Sequence, residues 1–145
     1  MSFHRGGSYA VNFGLDSDNV MRIGGWSAAA NRWQLDMSGN GTYAGNVTAY
    51  SDERLKTDWS VIESGFVERL AVMRCGTYTR IDSGQRQAGV SAQNMRKILP
   101  EVVSEDNDGT LALAYGNAAL VSAVELAKEL VALKQEVAEL RARVH

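Results

Sequence analysis

The sequence predicts an α+β chain in two parts: a β-rich segment over residues 1–50 and a small mixed domain over 51–145 ending in a long helix. Three observations carry this. Eight of the 14 glycines and two of the three tryptophans fall in the first fifty residues, which hold no lysine. From Ser51 onward, helix and strand patterns are interleaved. From Ala119, apolar residues recur at spacings of 4, 3, 4, 3, 4, 3 and 4.

In the first part, Tyr9, Val11 and Phe13 alternate with small or polar residues, and Gly14 with Asp16-Ser17-Asp18-Asn19 supplies turn chemistry. Val20, Arg22 and Ile23 lead to Gly24-Gly25-Trp26. Trp33 to Met37 alternates strictly and ends in Ser38-Gly39-Asn40-Gly41, after which Thr42, Tyr43, Val47, Thr48 and Tyr50 supply β-formers. The aliphatic mass is too small for a self-sufficient core. Such a segment buries its aromatic residues against other copies of itself, as in an intertwined fibre.

In the second part, Ser60 is the predicted cap of a helix through Val61, Ile62, Phe66, Val67 and Leu70. Gly76 to Ile81 reads as a strand, closed by Asp82-Ser83-Gly84 and partnered by Ala88 to Ala92. Gln93 to Leu99 is a short helix stopped by Pro100, the single proline. Val102-Val103 and Leu111 to Tyr115 are strands around Asp106-Asn107-Asp108-Gly109. Over 119–145, Ala119, Ala123, Leu126, Leu130, Leu133, Val137, Leu140 and Val144 form a coiled-coil seam of more than three heptads. Folding back onto its own domain is the other option for such a helix. Leu and Val mixed at the seam leave dimer and trimer open.

Composition excludes several function classes. A net charge of −2 gives no support for a nucleic-acid or anionic-membrane binder. No apolar run approaches the roughly 20 residues that span a bilayer, and the N-terminus shows no charged-then-apolar leader pattern. Cys75 is alone, which rules out an intrachain disulfide, and reads as a small buried residue. The two histidines, His4 and His145, lie near the chain ends, so neither a histidine-based triad nor a Cys/His zinc site is expected. No cofactor or metal is expected. Any catalysis must rest on carboxylates, hydroxyls and lysines.

Ser51-Asp52-Glu53-Arg54-Leu55-Lys56 places a hydroxyl and an amine five apart at the change of composition. Taken alone, the pair is most simply a solvated turn; Asp52, Glu53 and Asp58 are candidates to orient Lys56, with surface charge the simpler reading of each. Together with Ala88-Gly89-Val90-Ser91-Ala92-Gln93, Leu99-Pro100-Glu101-Val102-Val103 and the C-terminal heptads, it resembles the intramolecular chaperone auto-processing domain, the S74 peptidase family. That family occurs at the ends of phage tail fibres and tailspikes, including endosialidases, and in the myelin regulatory factor. The first fifty residues are similar to a tail-fibre tip through Asn12 to Asp16 and Ile23 to Ser27.

The resemblance implies a homotrimer that helps the preceding fibre or tailspike domains trimerise and is then cut off before the motif serine, here at the Tyr50–Ser51 bond. It implies Ser51 as nucleophile and Lys56 as general base. Residues 1–50 are then expected in the virion tail fibre. The chaperone domain is expected to be made in the host cytoplasm and released after cleavage. A non-catalytic trimerisation and host-adhesion module, touching a surface glycan or receptor through Trp26, Trp33 or Tyr43, is the alternative. A trans-acting serine-lysine hydrolase is a weaker one, because no substrate-binding apparatus is evident.

The residue types suit this chemistry. Serine needs a base, and a neutral lysine serves where histidine is absent. A free lysine has a pKa near 10.4, so about one in 2,500 is neutral at pH 7; lowering it to about 7 takes roughly 4.6 kcal/mol, a bias that burial can supply. A spacing of five turns a side chain about 140° off its starting face on a helix. Ser51 and Lys56 are therefore expected to meet through a turn. Gly89 and Gln93 are expected to serve local geometry.

Overall fold

The computed structural model describes residues 1–144 and divides at Asp58, with one compact unit over Met1–Asp58 and another from Trp59 onward. The first unit is a five-stranded antiparallel meander: β1 (Ser2–Arg5), β2 (Tyr9–Leu15), β3 (Met21–Gly24), β4 (Trp33–Leu35) and β5 (Gly41–Tyr43). The last four answer to the predicted alternation. The segment 44–50 carries β-formers but no strand: its Ala44 N–H donates to the Arg32 carbonyl, while Val47, Thr48 and Tyr50 find no pleated neighbour among the described residues.

Register sorts the side chains cleanly. Phe13, Ile23, Trp33 and Tyr43 lie opposite one another across four strands, beside Leu15, Met21 and Leu35 in the next row. Phe3 opposes Val11 on that same face. The other face carries Ser2 bonded to Asn12, and Arg22 bonded to Gln34. None of the apolar-face residues is buried; Ala10, under the loop after β3, is the buried residue of this unit. Apart from Arg5, which pairs with Tyr9 at its edge, this face is apolar and not buried, so the sheet has half a core.

Hairpin chemistry is economical. The loops opening at Asp16 and Asp36, and a third at Asp106 in the second unit, share one pattern: the Asp N–H donates to the carbonyl four residues on, and its own carbonyl accepts from the residue three on. That third residue has positive φ in each case: Asn19, Gly39 and Gly109. The Asp18 carboxylate is held down at about 2, first by its hydrogen bonds from the Arg22 guanidinium at 2.6 Å. Gly24 is the most constrained backbone position. Its φ is 141°, and a β-carbon there would lie 2.7 Å from the Ala29 carbonyl oxygen and 2.8 Å from the Asn31 nitrogen. Gly24→Ala is expected to destabilise the sheet by about 2–4 kcal/mol, read as a lowered thermal midpoint with a preserved C-terminal helix signal.

The second unit holds α1 (Phe66–Ala71), the hairpin β6 (Cys75–Thr79) and β7 (Arg86–Val90), α2 (Ala92–Ile98), the hairpin β8 (Val103–Glu105) and β9 (Leu111–Leu113), and α3 (Tyr115–Val144). The helix expected from Ser60 starts only at Phe66, because Gly65 sits in the left-handed region at φ 72° as its N-cap. Ser91 caps α2 by accepting from the Asn94 N–H, and Pro100 opens the 3-10 turn that follows.

Phe66, Met95, Leu99, Val102 and Ala118 form the core. It is small for a unit of this size. Cys75 is exposed, contrary to the sequence reading, because it opens β6, a strand whose five residues are all exposed. The long helix seats Ala118 and Val121 on the core, and the expected seam from Ala119 is offset from that line. Helix formation begins at Tyr115, four residues before the predicted seam, and the last predicted residue, His145, lies outside the described residues. Leu126, Leu130, Leu133, Val137, Leu140 and Val144 are exposed along roughly 27 Å of helix. Within one chain it does not fold back.

Candidate active site

Ser51 and Lys56 meet through a turn, as the five-residue spacing requires. Asp52 is the N-cap of a 3-10 turn over Glu53–Leu55; its carboxylate accepts from the Arg54 N–H at 2.9 Å. The Asp52 carbonyl accepts from the Leu55 N–H, and the Glu53 carbonyl from the Lys56 N–H. Lys56 then leaves in an extended conformation, which sends its side chain back along the turn. Its Nζ lies 2.8 Å from Ser51 Oγ and donates to the Ser51 carbonyl oxygen at 3.0 Å.

Such an arrangement supports proton transfer in either direction. A neutral amine has two N–H groups and one lone pair, so it keeps donating to the carbonyl while accepting from the serine hydroxyl. Tyr50 is 99% exposed, and Ser51 and Lys56 are exposed too. The peptide bond beside the hydroxyl is thus open, and neither member of the pair is shielded from solvent in the single chain.

The sequence reading offered Asp52 as an orienter of Lys56 beside the simpler reading as surface charge, and gave Arg54 no role. The two form a fork: Arg54 Nε donates to both carboxylate oxygens at 3.0 and 3.1 Å, and Nη2 to Oδ2 at 2.5 Å. Asp52 is held below the usual carboxylate range, first by this side-chain pairing, then by the Arg54 N–H, with a further contribution from the charge of Lys56. The signal was the Asp-x-Arg spacing, which acquires meaning only once the turn is formed.

The second motif is structural. The Tyr115 and Tyr78 hydroxyls would stand 3.1 and 3.3 Å from a β-carbon at Gly89, so the missing side chain lets two phenols close over β7. Ser91 Oγ reaches Gln93, and Asn94 accepts from the Arg74 N–H. Among the described residues, no group of three or more His, Cys, Asp or Glu side chains is disposed to hold a metal, and no helix is long and apolar enough to cross a membrane.

Residues 51–104 match the family described as chaperone of endosialidase, Peptidase S74. This part of the chain belongs to the endosialidase-chaperone family. Its first residue in the match is Ser51 itself, and the matched segment ends within β8. The chain is also 34% identical over 110 residues to the long tail fiber protein Gp37 of Enterobacteria phage Ox2, an alignment covering 71% of this chain and 43% of that protein. The same identity and coverage hold for Gp37 of Enterobacteria phage M1. The chain thus spans less than half the length of these curated relatives. The endosialidase-chaperone family bears both a chaperone description and a peptidase designation, and these relatives are phage tail fibre proteins.

Proposed function

We propose that the chain is an intramolecular chaperone that trimerises and folds a phage tail fibre or tailspike, then frees itself by cutting its own Tyr50–Ser51 bond. The 2.8 Å approach of Lys56 Nζ to Ser51 Oγ, at the start of the segment matching a peptidase family, is the observation that carries it. Neutral Lys56 takes the hydroxyl proton as Oγ attacks the Tyr50 carbonyl carbon. The C–N bond then breaks as the proton passes to the Ser51 nitrogen, leaving Tyr50 esterified to Oγ. Water hydrolyses the ester and releases a Tyr50 carboxylate. The bond attacked is the nucleophile's own, so each chain acts once, in cis. The oxyanion calls for hydrogen-bond donors, a task suited to backbone amides.

Residues 1–50 stay in the virion fibre and residues 51–145 leave as a domain made in the host cytoplasm. The half-built core of each unit supports association: the apolar sheet face and the exposed α3 seam are both completed by further copies. The exposed Trp26 and the sheet's uncovered aromatic residues also favour the second reading, a trimeric adhesion module for a host glycan or receptor without cleavage. Intact mass after assembly and denaturation separates the two. Self-cleavage gives fragments of residues 1–50 and 51–145, and a uniformly 145-residue product would rule it out.

A further inference from the structure

We infer that Asp52 and Arg54 act together as a positioning clamp on Lys56: the Asp52 carboxylate builds the turn that returns the lysine to Ser51, and Arg54 absorbs that carboxylate's charge so the lysine is free to lose its proton. This rests on the reading of Lys56 as the base. The cap bond from the Arg54 N–H and the guanidinium fork fall on one carboxylate, which is half-buried while the Arg54 side chain is largely exposed. An arginine on the surface gains little from an isolated ion pair. Its value here lies in where the carboxylate stands.

A bare carboxylate one turn from Lys56 would hold the lysine as an ammonium, since an opposite charge nearby favours the charged form. Arg54 is the main cause that holds Asp52 low, and the charge of Lys56 makes the smallest contribution. Base catalysis needs the neutral lysine. Removing Asp52 would relieve the attraction but lose the cap. Pairing it with a guanidinium, which stays protonated throughout the working range, keeps the cap and cancels the charge. Glu53 and Asp58 are the other carboxylates flanking Lys56 in this segment, and Arg54 is the guanidinium beside it.

The test is the pH dependence of self-cleavage in the full chain, with assembly checked by size exclusion. Arg54→Ala is expected to move the midpoint alkaline by about half to one unit, and Asp52→Asn, which retains a capping oxygen, to move it acid by a similar amount. Asp52→Ala should also cleave about tenfold more slowly at every pH, through loss of the turn. Shifts of opposite sign are not what a merely structural pair gives. Midpoints of both Arg54→Ala and Asp52→Asn matching the unsubstituted chain would overturn the clamp. If the unsubstituted chain never cleaves, the base assignment fails. The clamp is then judged separately by NMR titration of the Lys56 ε-ammonium in the Ser51→Ala chain, where Arg54→Ala must raise the lysine's midpoint and an unmoved value sinks it.

Discussion

Ser51→Ala yields an assembled chain of 145 residues and no fragment, because no ester can form. Lys56→Ala yields the same fragments as the unsubstituted chain about 100- to 10,000-fold more slowly, the usual contribution of a positioned general base. Lys56→Arg decides what the lysine does. Arginine reaches the same oxygen atoms and keeps a positive charge, but it does not give up its proton at any working pH. It is therefore expected to be as slow as alanine. Normal cleavage by Lys56→Arg would make residue 56 a cation that stabilises charge, and would end its assignment as base. Denaturing gels over a time course from refolding, calibrated by intact mass, read all three.

The second large effect is expected far from the turn. Leu130→Lys with Leu133→Lys places two charges on the exposed seam of α3, about ten residues past its last contact with the core. Both positions are exposed in the single chain, so the cost to its own fold should stay within about 0.5 kcal/mol. The cost to a three-stranded coiled coil is much larger, since like charges then face one another at buried seam positions. The expected outcome is a folded monomer by size exclusion and circular dichroism, with self-cleavage slowed at least about tenfold. The physical link is desolvation: Ser51 and Lys56 are exposed in one chain, and lysine must be stripped of water to act as a base. A monomer that cleaves at the normal rate would uncouple the two.

Much of this was legible because it rests on local geometry. The 3.5-residue repeat from Ala119 gave the long helix, Pro100 the stop of α2, and the helical rotation over five residues the need for a turn between Ser51 and Lys56. Features that depend on distant chain were not. Phe3 lies in a strand because Ser2–Arg5 pairs along β2, although His4 and Arg5 spoil any alternation. Cys75 has the character of a core residue, yet its exposure is set by what covers a hairpin. The helix expected from Ser60 yielded to the left-handed conformation of Gly65. The Asp52–Arg54 fork was hidden for a related reason: residues two apart face each other only after a tight turn is in place.

The central claim, that assembly precedes a cut made by Ser51 on its own peptide bond, is tested most directly by denaturing mass spectrometry of each size-exclusion fraction during refolding. The account predicts a fragment beginning Ser51-Asp52-Glu53 in the trimeric fraction and only the full chain in the monomeric one. It is contradicted if no fraction contains a fragment starting at Ser51, or if monomers carry it as often as trimers.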